Sequence, residues 1–150
     1  MITVKQRQRK IKVNVKNIAA TAQRMLTVLG YPDFDLGVLL TTNATIRRYN
    51  KKYRNKDKPT DILSFPYHSA LKAGNKITSS CDEDKNLGDL IISLEYVQAD
   101  AQKTWERTFE EHMTALLAHG IAHCLGYDHI NDKDFAVMQK FEKKIHNLLS

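Results

Sequence analysis

Cysteine, early acidic residues and long apolar runs are all scarce in this chain, and each scarcity removes a class of protein. The two cysteines, Cys81 and Cys124, stand far apart and form no CxxC frame, which argues against a disulfide scaffold or a structural zinc knuckle and fits a reducing compartment. No apolar run approaches the length needed to cross a bilayer and no signal peptide is visible, so a soluble protein with no membrane partner is expected. The first acidic residue is Asp33, and the Lys- and Arg-rich stretch before it has the composition of an organellar transit peptide. Against targeting, Lys10 to Lys16 alternates Ile11, Val13 and Val15 with polar residues, the period of a half-buried strand and hence of folded structure.

What is present suits one domain, residues 1–150, with a hydrophobic core. A net charge of +6 favours phosphate-rich partners without demanding them. After the strand at 10–16, Asn17 is expected to cap a helix whose Ile18, Ala22, Met25, Leu26 and Leu29 recur at helical spacing until Gly30 and Pro32. Phe34 to Thr41 reads as a buried strand and Asn43 to Tyr53 as a helix. Thr60 to Phe65 and Leu87 to Leu94 read as short strands. Between them, Tyr67 to Asn86 shows no periodicity and reads as a functional or mobile loop, its Asp82, Glu83 and Asp84 a solvated run rather than a cation site. From Glu95 the pattern is helical to Lys103, from Thr108 to Leu125, and from Asp132, where Phe135, Met138, Phe141, Ile145 and Leu148 share one face. Trp105 is expected to pack beneath the site described next. Strands and helices interleaved this way predict an α/β (α+β) fold, a small mixed sheet of about four strands covered by helices.

The most informative segment is HGIAHCLGYDH, residues 119 to 129. On a helix, His119 and His123 fall about 40° apart around the axis and roughly 6 Å apart along it, so both imidazoles leave one face. Gly126 sits where a left-handed residue can end the helix and return His129 toward that pair. Three imidazoles without a fourth protein ligand describe a catalytic zinc site, one position being left for water, more than a closed structural site. The spacing HxxxHxxGxxH is also the frame of metzincin peptidases, where a glutamate follows the first histidine as general base. Gly120 stands there instead and cannot take a proton, which argues for other metal chemistry. His112 shares the face of His119 but, about 10 Å along the axis, is too far for shared ligation and reads as structural or as support for a ligand.

Read with KYRNKDKPTDILSFPY, from Lys52 to Tyr67, and LGDLIIS, from Leu87 to Ser93, this segment resembles the YbeY family of metal-dependent endoribonucleases, with three separated blocks in the same order. The resemblance implies a zinc-dependent hydrolase-like fold and one zinc ion per chain bound by His119, His123 and His129. It also implies cleavage of single-stranded RNA in small-subunit ribosomal RNA 3′-end maturation and ribosome quality control, with the small subunit and assembly factors as partners. A bacterial cytoplasmic location follows, an organellar one being the alternative. Arg54 matches the family's functional arginine; its planar guanidinium could pair phosphate oxygens, and its plain alternative is a surface salt bridge with Asp57 or another carboxylate. Lys51, Lys52, Lys56 and Lys58 could extend a positive track. Asp61, Ser64 and Asp128 read as structural or as carboxylate and hydroxyl support for the ligands, and Tyr53, Phe65, Tyr67 and Tyr127 as core more than as base-stacking residues. Two other readings remain: a ribosome-associated RNA-binding factor whose metal is structural, and a zinc peptidase.

Overall fold

Alternating apolar residues near the start of the chain do form a strand, but not where Ile11, Val13 and Val15 suggested. A computed structural model of the protein describes residues 1–78 and 81–150. In it β1 is Ile2–Gln6, and residues 10–14 are irregular chain leading directly into α1, Val15–Val28. Ile11 and Val13 still face the core, but a side-chain clamp replaces a ladder: Gln8 Nε2 donates to the Ile11 carbonyl at 2.8 Å and Gln8 Oε1 accepts from Ile11 N at 2.9 Å. The α1 cap is Asn14, whose side chain accepts from Asn17 N at 3.1 Å, so the helix begins earlier than a cap at Asn17 would allow.

The remaining elements follow the expected order: β2 (Asp35–Thr41), α2 (Asn43–Arg54), β3 (Ile62–Pro66), β4 (Asn86–Ser93), α3 (Leu94–Lys103), α4 (Phe109–Cys124) and α5 (Asp132–Leu149). The four strands form a mixed sheet in the order β1-β2-β4-β3. β1, β2 and β4 are parallel, and β3 runs antiparallel to β4 at the edge. Side-chain alternation divides the sheet cleanly. Leu36, Val38, Leu40, Leu90, Ile92 and Ile62 face one layer, where they pack with residues of α1, α4 and α5 in the main core. On the other face Leu63 and Ile91 meet Ile46 of α2 in a smaller cluster, and a groove of about 660 Å³ runs past Lys5, Gly37, Tyr49, Phe65 and Asp89.

α5 lies against α4 and α1, with Met138 and Ile145 buried and Phe141 stacked on Tyr127 at 4.1 Å between ring centroids. Phe135 and Leu148, expected on the same buried face, are half exposed, because they lie near the ends of α5. The segment from Tyr67 to Asn86, expected to be structureless, holds a short 3-10 turn at Asp82–Asp84, and Leu71 and Ile77 pack on the core. Ile77 N donates to Tyr31 Oη at 3.2 Å. Residues 79 and 80 of that segment lie outside the described residues.

Candidate metal centre

The centre is built on α4, whose start is fixed by a reciprocal cap. Thr108 Oγ1 accepts from Glu111 N at 3.1 Å while a Glu111 carboxylate oxygen accepts from Thr108 N at 3.1 Å. At the other end, Gly126 adopts φ +93, and Tyr127 N donates back to the Ala122 carbonyl at 3.0 Å, closing the helix and turning the chain toward α5. A side chain at Gly126 would also strike the backbone of Leu71 and Ala73, so the long loop is seated on this turn.

Gly120 faces away from the histidines and into the sheet. An added Cβ would lie 2.8 Å from both Ile62 Cδ1 and Leu90 Cδ2, so glycine at this position lets α4 press close on β3 and β4. The residue that would carry a peptidase's base is therefore a packing residue.

The three histidines converge as expected: their ligand-type nitrogens lie within 4.8 Å of one another. His119 and His123 rings are perpendicular at 4.6 Å, and the His129 ring stands 5.1 Å from His123 and 5.6 Å from His119. Two of the rings have fixed tautomers. His123 Nδ1 donates to the Tyr127 carbonyl at 2.9 Å, and His119 Nδ1 donates to Glu142 Oε1 at 2.7 Å, since neither a carbonyl nor a carboxylate has a proton to give. Both Nε2 lone pairs are consequently turned inward, and they face each other at 3.1 Å. Two acceptors at that separation repel unless a cation stands between them. Burial, and then the neighbouring His119 and His129, push His123 down to about 4, which keeps its ring neutral near pH 7 and free to donate a lone pair. The donor set fits a divalent metal ion of the kind that accepts imidazole nitrogen.

The support for these rings comes from a residue that the histidine frame does not contain. Glu142, on α5, takes the position expected of Asp61 or Asp128. Asp128 instead accepts from His129 N at 2.8 Å, its charge lying near His123. Asp61 belongs to a different cluster, with Asp100 and His112, whose ligand-type atoms lie within 4.8 Å of one another. There Arg107 Nη1 lies 3.5 Å from His112 Nδ1, which turns the Nε2 proton toward the carboxylates. Asp100 Oδ2 is 3.4 Å from Nε2, an ion-pair distance without hydrogen-bond geometry, which leaves the buried Nε2 without a hydrogen-bond partner among the described residues. Trp105 belongs here too, half exposed beside His112 and donating to Asp100 at 3.2 Å, and not beneath the three histidines.

Arg54 is the last residue of α2 and is exposed. The carboxylate expected to compete for it is taken, because Asp57 pairs with Arg47 Nε at 2.8 Å, and among the described residues Arg54 has no ion-pair partner. Lys51, Lys52, Lys56 and Lys58 are exposed around it. Tyr53 and Tyr67, expected in the core, are half exposed; Phe65 sits edge-on to Tyr53 at 5.2 Å, and Tyr127 is committed to α5.

A family model described as Endoribonuclease YbeY matches residues 2–150. A human protein named Endoribonuclease YbeY is 30% identical over 144 residues, covering 96% of this chain and 85% of its own. A protein of the same name from Sulfurihydrogenibium sp. is 36% identical over 140 residues, covering 93% and 86%. Among solved structures, the solution structure of a Thermotoga maritima protein superposes with a TM-score of 0.56 at 23% identity, covering 98% of this chain and 90% of that one, which establishes the shared fold.

Proposed function

The chain belongs to the YbeY family of endoribonucleases, and from that premise we propose that it cleaves single-stranded RNA by hydrolysis at a zinc centre held by His119, His123 and His129. The reading extends to small-subunit ribosomal RNA 3′-end maturation and ribosome quality control, with the small subunit and its assembly factors as partners and the bacterial cytoplasm as the location. The observation that carries it is the pair of Nε2 lone pairs facing each other at 3.1 Å, an arrangement that makes sense around a cation.

Zinc bound there would supply Lewis acidity toward a phosphoryl oxygen and a nucleophile acidified into the neutral range. The chain's own residues supply the rest. His119 and His123 enter with their tautomers already set, so neither of these two rings must reorient on loading. Arg54, unpaired among the described residues, is available to hold phosphate oxygens in a bidentate pair and to offset charge that grows on them. The exposed lysines of 51–58 extend that attraction along a flexible strand. Peptidase chemistry lacks its base, because Gly120 carries no side chain and its position on α4 faces Ile62 and Leu90 of the sheet.

The test is cleavage of a labelled single-stranded RNA and its duplex by zinc-loaded protein, with His123→Ala, Arg54→Ala and a chelator control. Loss of about 100-fold or more in single-strand cleavage for each variant, with folding and RNA binding retained, is the expected outcome. The bond from His119 to Glu142 joins α4 to α5 and gives the rival reading its footing, a metal that only braces the fold. That reading prevails if folded His123→Ala cleaves as fast as wild type.

A further inference from the structure

We propose that Glu142 is a positioning residue of the histidine centre, orienting His119 through Nδ1 so that Nε2 is presented to the metal, and thereby setting the affinity of the centre. The inference rests on the metal-centre reading above and extends it to a helix that contributes no ligand.

The three rings are held in different ways. His123 is oriented by a backbone carbonyl, that of Tyr127, which no side-chain substitution removes. His129 has its backbone N–H held by Asp128, but no side chain among the described residues bonds its ring. His119 alone is oriented by a side chain, the Glu142 carboxylate at 2.7 Å. An imidazole without such a partner can turn over about χ2 and exchange its two nitrogens, or carry its proton on the wrong one. The carboxylate removes both alternatives and, being charged, makes Nε2 a stronger donor than a carbonyl would.

The placement of Glu142 supports a dedicated role. Met138 and Ile145, four residues before it and three after, share its face of α5 and are both buried. A carboxylate on that inward stripe costs desolvation unless it is paired, and the pairing it has is with a ring of the centre. The side chains of His119 and Glu142 are 30% and 25% exposed, which shelters the bond from the screening that weakens surface pairs. The preceding residue, Phe141, stacks on Tyr127, whose carbonyl orients His123. α5 thus braces two of the three rings, one directly and one through Tyr127.

Wild type, Glu142→Gln, Glu142→Ala and His119→Ala would be titrated with zinc in competition with a chromophoric chelator. Cobalt absorption spectra would be recorded in parallel, as would thermal melting of the metal-free proteins. The expected result is a loss of about 10- to 100-fold in zinc affinity for Glu142→Ala with an altered cobalt spectrum. Glu142→Gln should fall between Ala and wild type, since its amide oxygen still accepts from Nδ1–H but carries no charge. Metal-free melting of Glu142→Gln close to wild type would separate this effect from a bracing one, and if Glu142→Ala fails to fold, the Gln variant decides. Wild-type affinity in the folded Gln and Ala variants, with His119→Ala impaired, overturns the inference and leaves Glu142 as a tie between helices. Wild-type affinity in His119→Ala removes the centre itself, and this inference with it.

Discussion

The ring of His123 illustrates how a single residue ties stability to pH. Burial lowers it to about 4 from an ordinary value of 6.5, so between those limits the unfolded chain binds the proton and the metal-free fold does not. Stability of the metal-free protein should therefore fall as pH drops through that window and be insensitive to this ring above it. Urea titrations of metal-free wild type and His123→Ala from pH 7.5 to 4 should show the wild-type decline to be the steeper. Cys124, fully buried on α4, is pushed up to about 12 by burial, and by the charge of Asp89 after that. It should resist iodoacetamide in the folded protein and react only after unfolding; modification at the rate of an unfolded control would contradict its placement. Gly126→Ala meets both a positive φ and the Leu71 carbonyl, and should cost at least about 1–2 kcal/mol, read as a lowered urea midpoint.

Among elements, α4 is the one on which the centre depends, and its cap is separable from its chemistry. Thr108→Ala removes the acceptor for Glu111 N and should cost about 1 kcal/mol, lowering the melting temperature by about 2–4 °C. Zinc affinity should be unchanged, because His119 lies well inside the helix. The same helix shows what was legible in sequence. His119 and His123 on it, with His129 just past its end, stood out because ligation by residues this near in sequence is a local property, written in their spacing. Glu142 did not, since its partner is set by how α5 packs on α4, and the only hint was a charge on the stripe of Met138 and Ile145. The early strand failed for a related reason. Alternation at Ile11, Val13 and Val15 reports which side chains face the core, and they do, but it says nothing of whether a neighbouring strand is present to pair. Trp105 sits away from the three histidines, and of the two roles open to Asp61 the structural one applies, because both meet His112 only through the packing of α3, β3 and α4.

For the molecule as a whole, fold class and the order of most elements were readable from period and punctuation. The strand order β1-β2-β4-β3 was not, because neither the crossing of β2 to β4 nor the antiparallel return of β3 has a local signature. Charge acts at this scale too. With +6 overall and exposed lysines beside Arg54, RNA affinity should fall linearly on logarithmic axes with salt. Replacing Lys51, Lys52, Lys56 and Lys58 by Gln should flatten that slope while leaving zinc affinity intact; an unchanged slope would place the RNA path elsewhere. The strand order has a kinetic consequence as well. His119, His123, His129 and Glu142 all belong to one helical hairpin, whereas the central ladder must bring Asp35 beside Asn86. Helices and short loops form in microseconds, while pairings between distant segments close slowly. The hairpin that carries the ligands is thus the quick part of the chain and the sheet the slow one. On the proposed ligand set, metal capture would run ahead of sheet closure, and the rate at which the native fold emerges from the unfolded chain is expected to follow strands that hold none of those ligands.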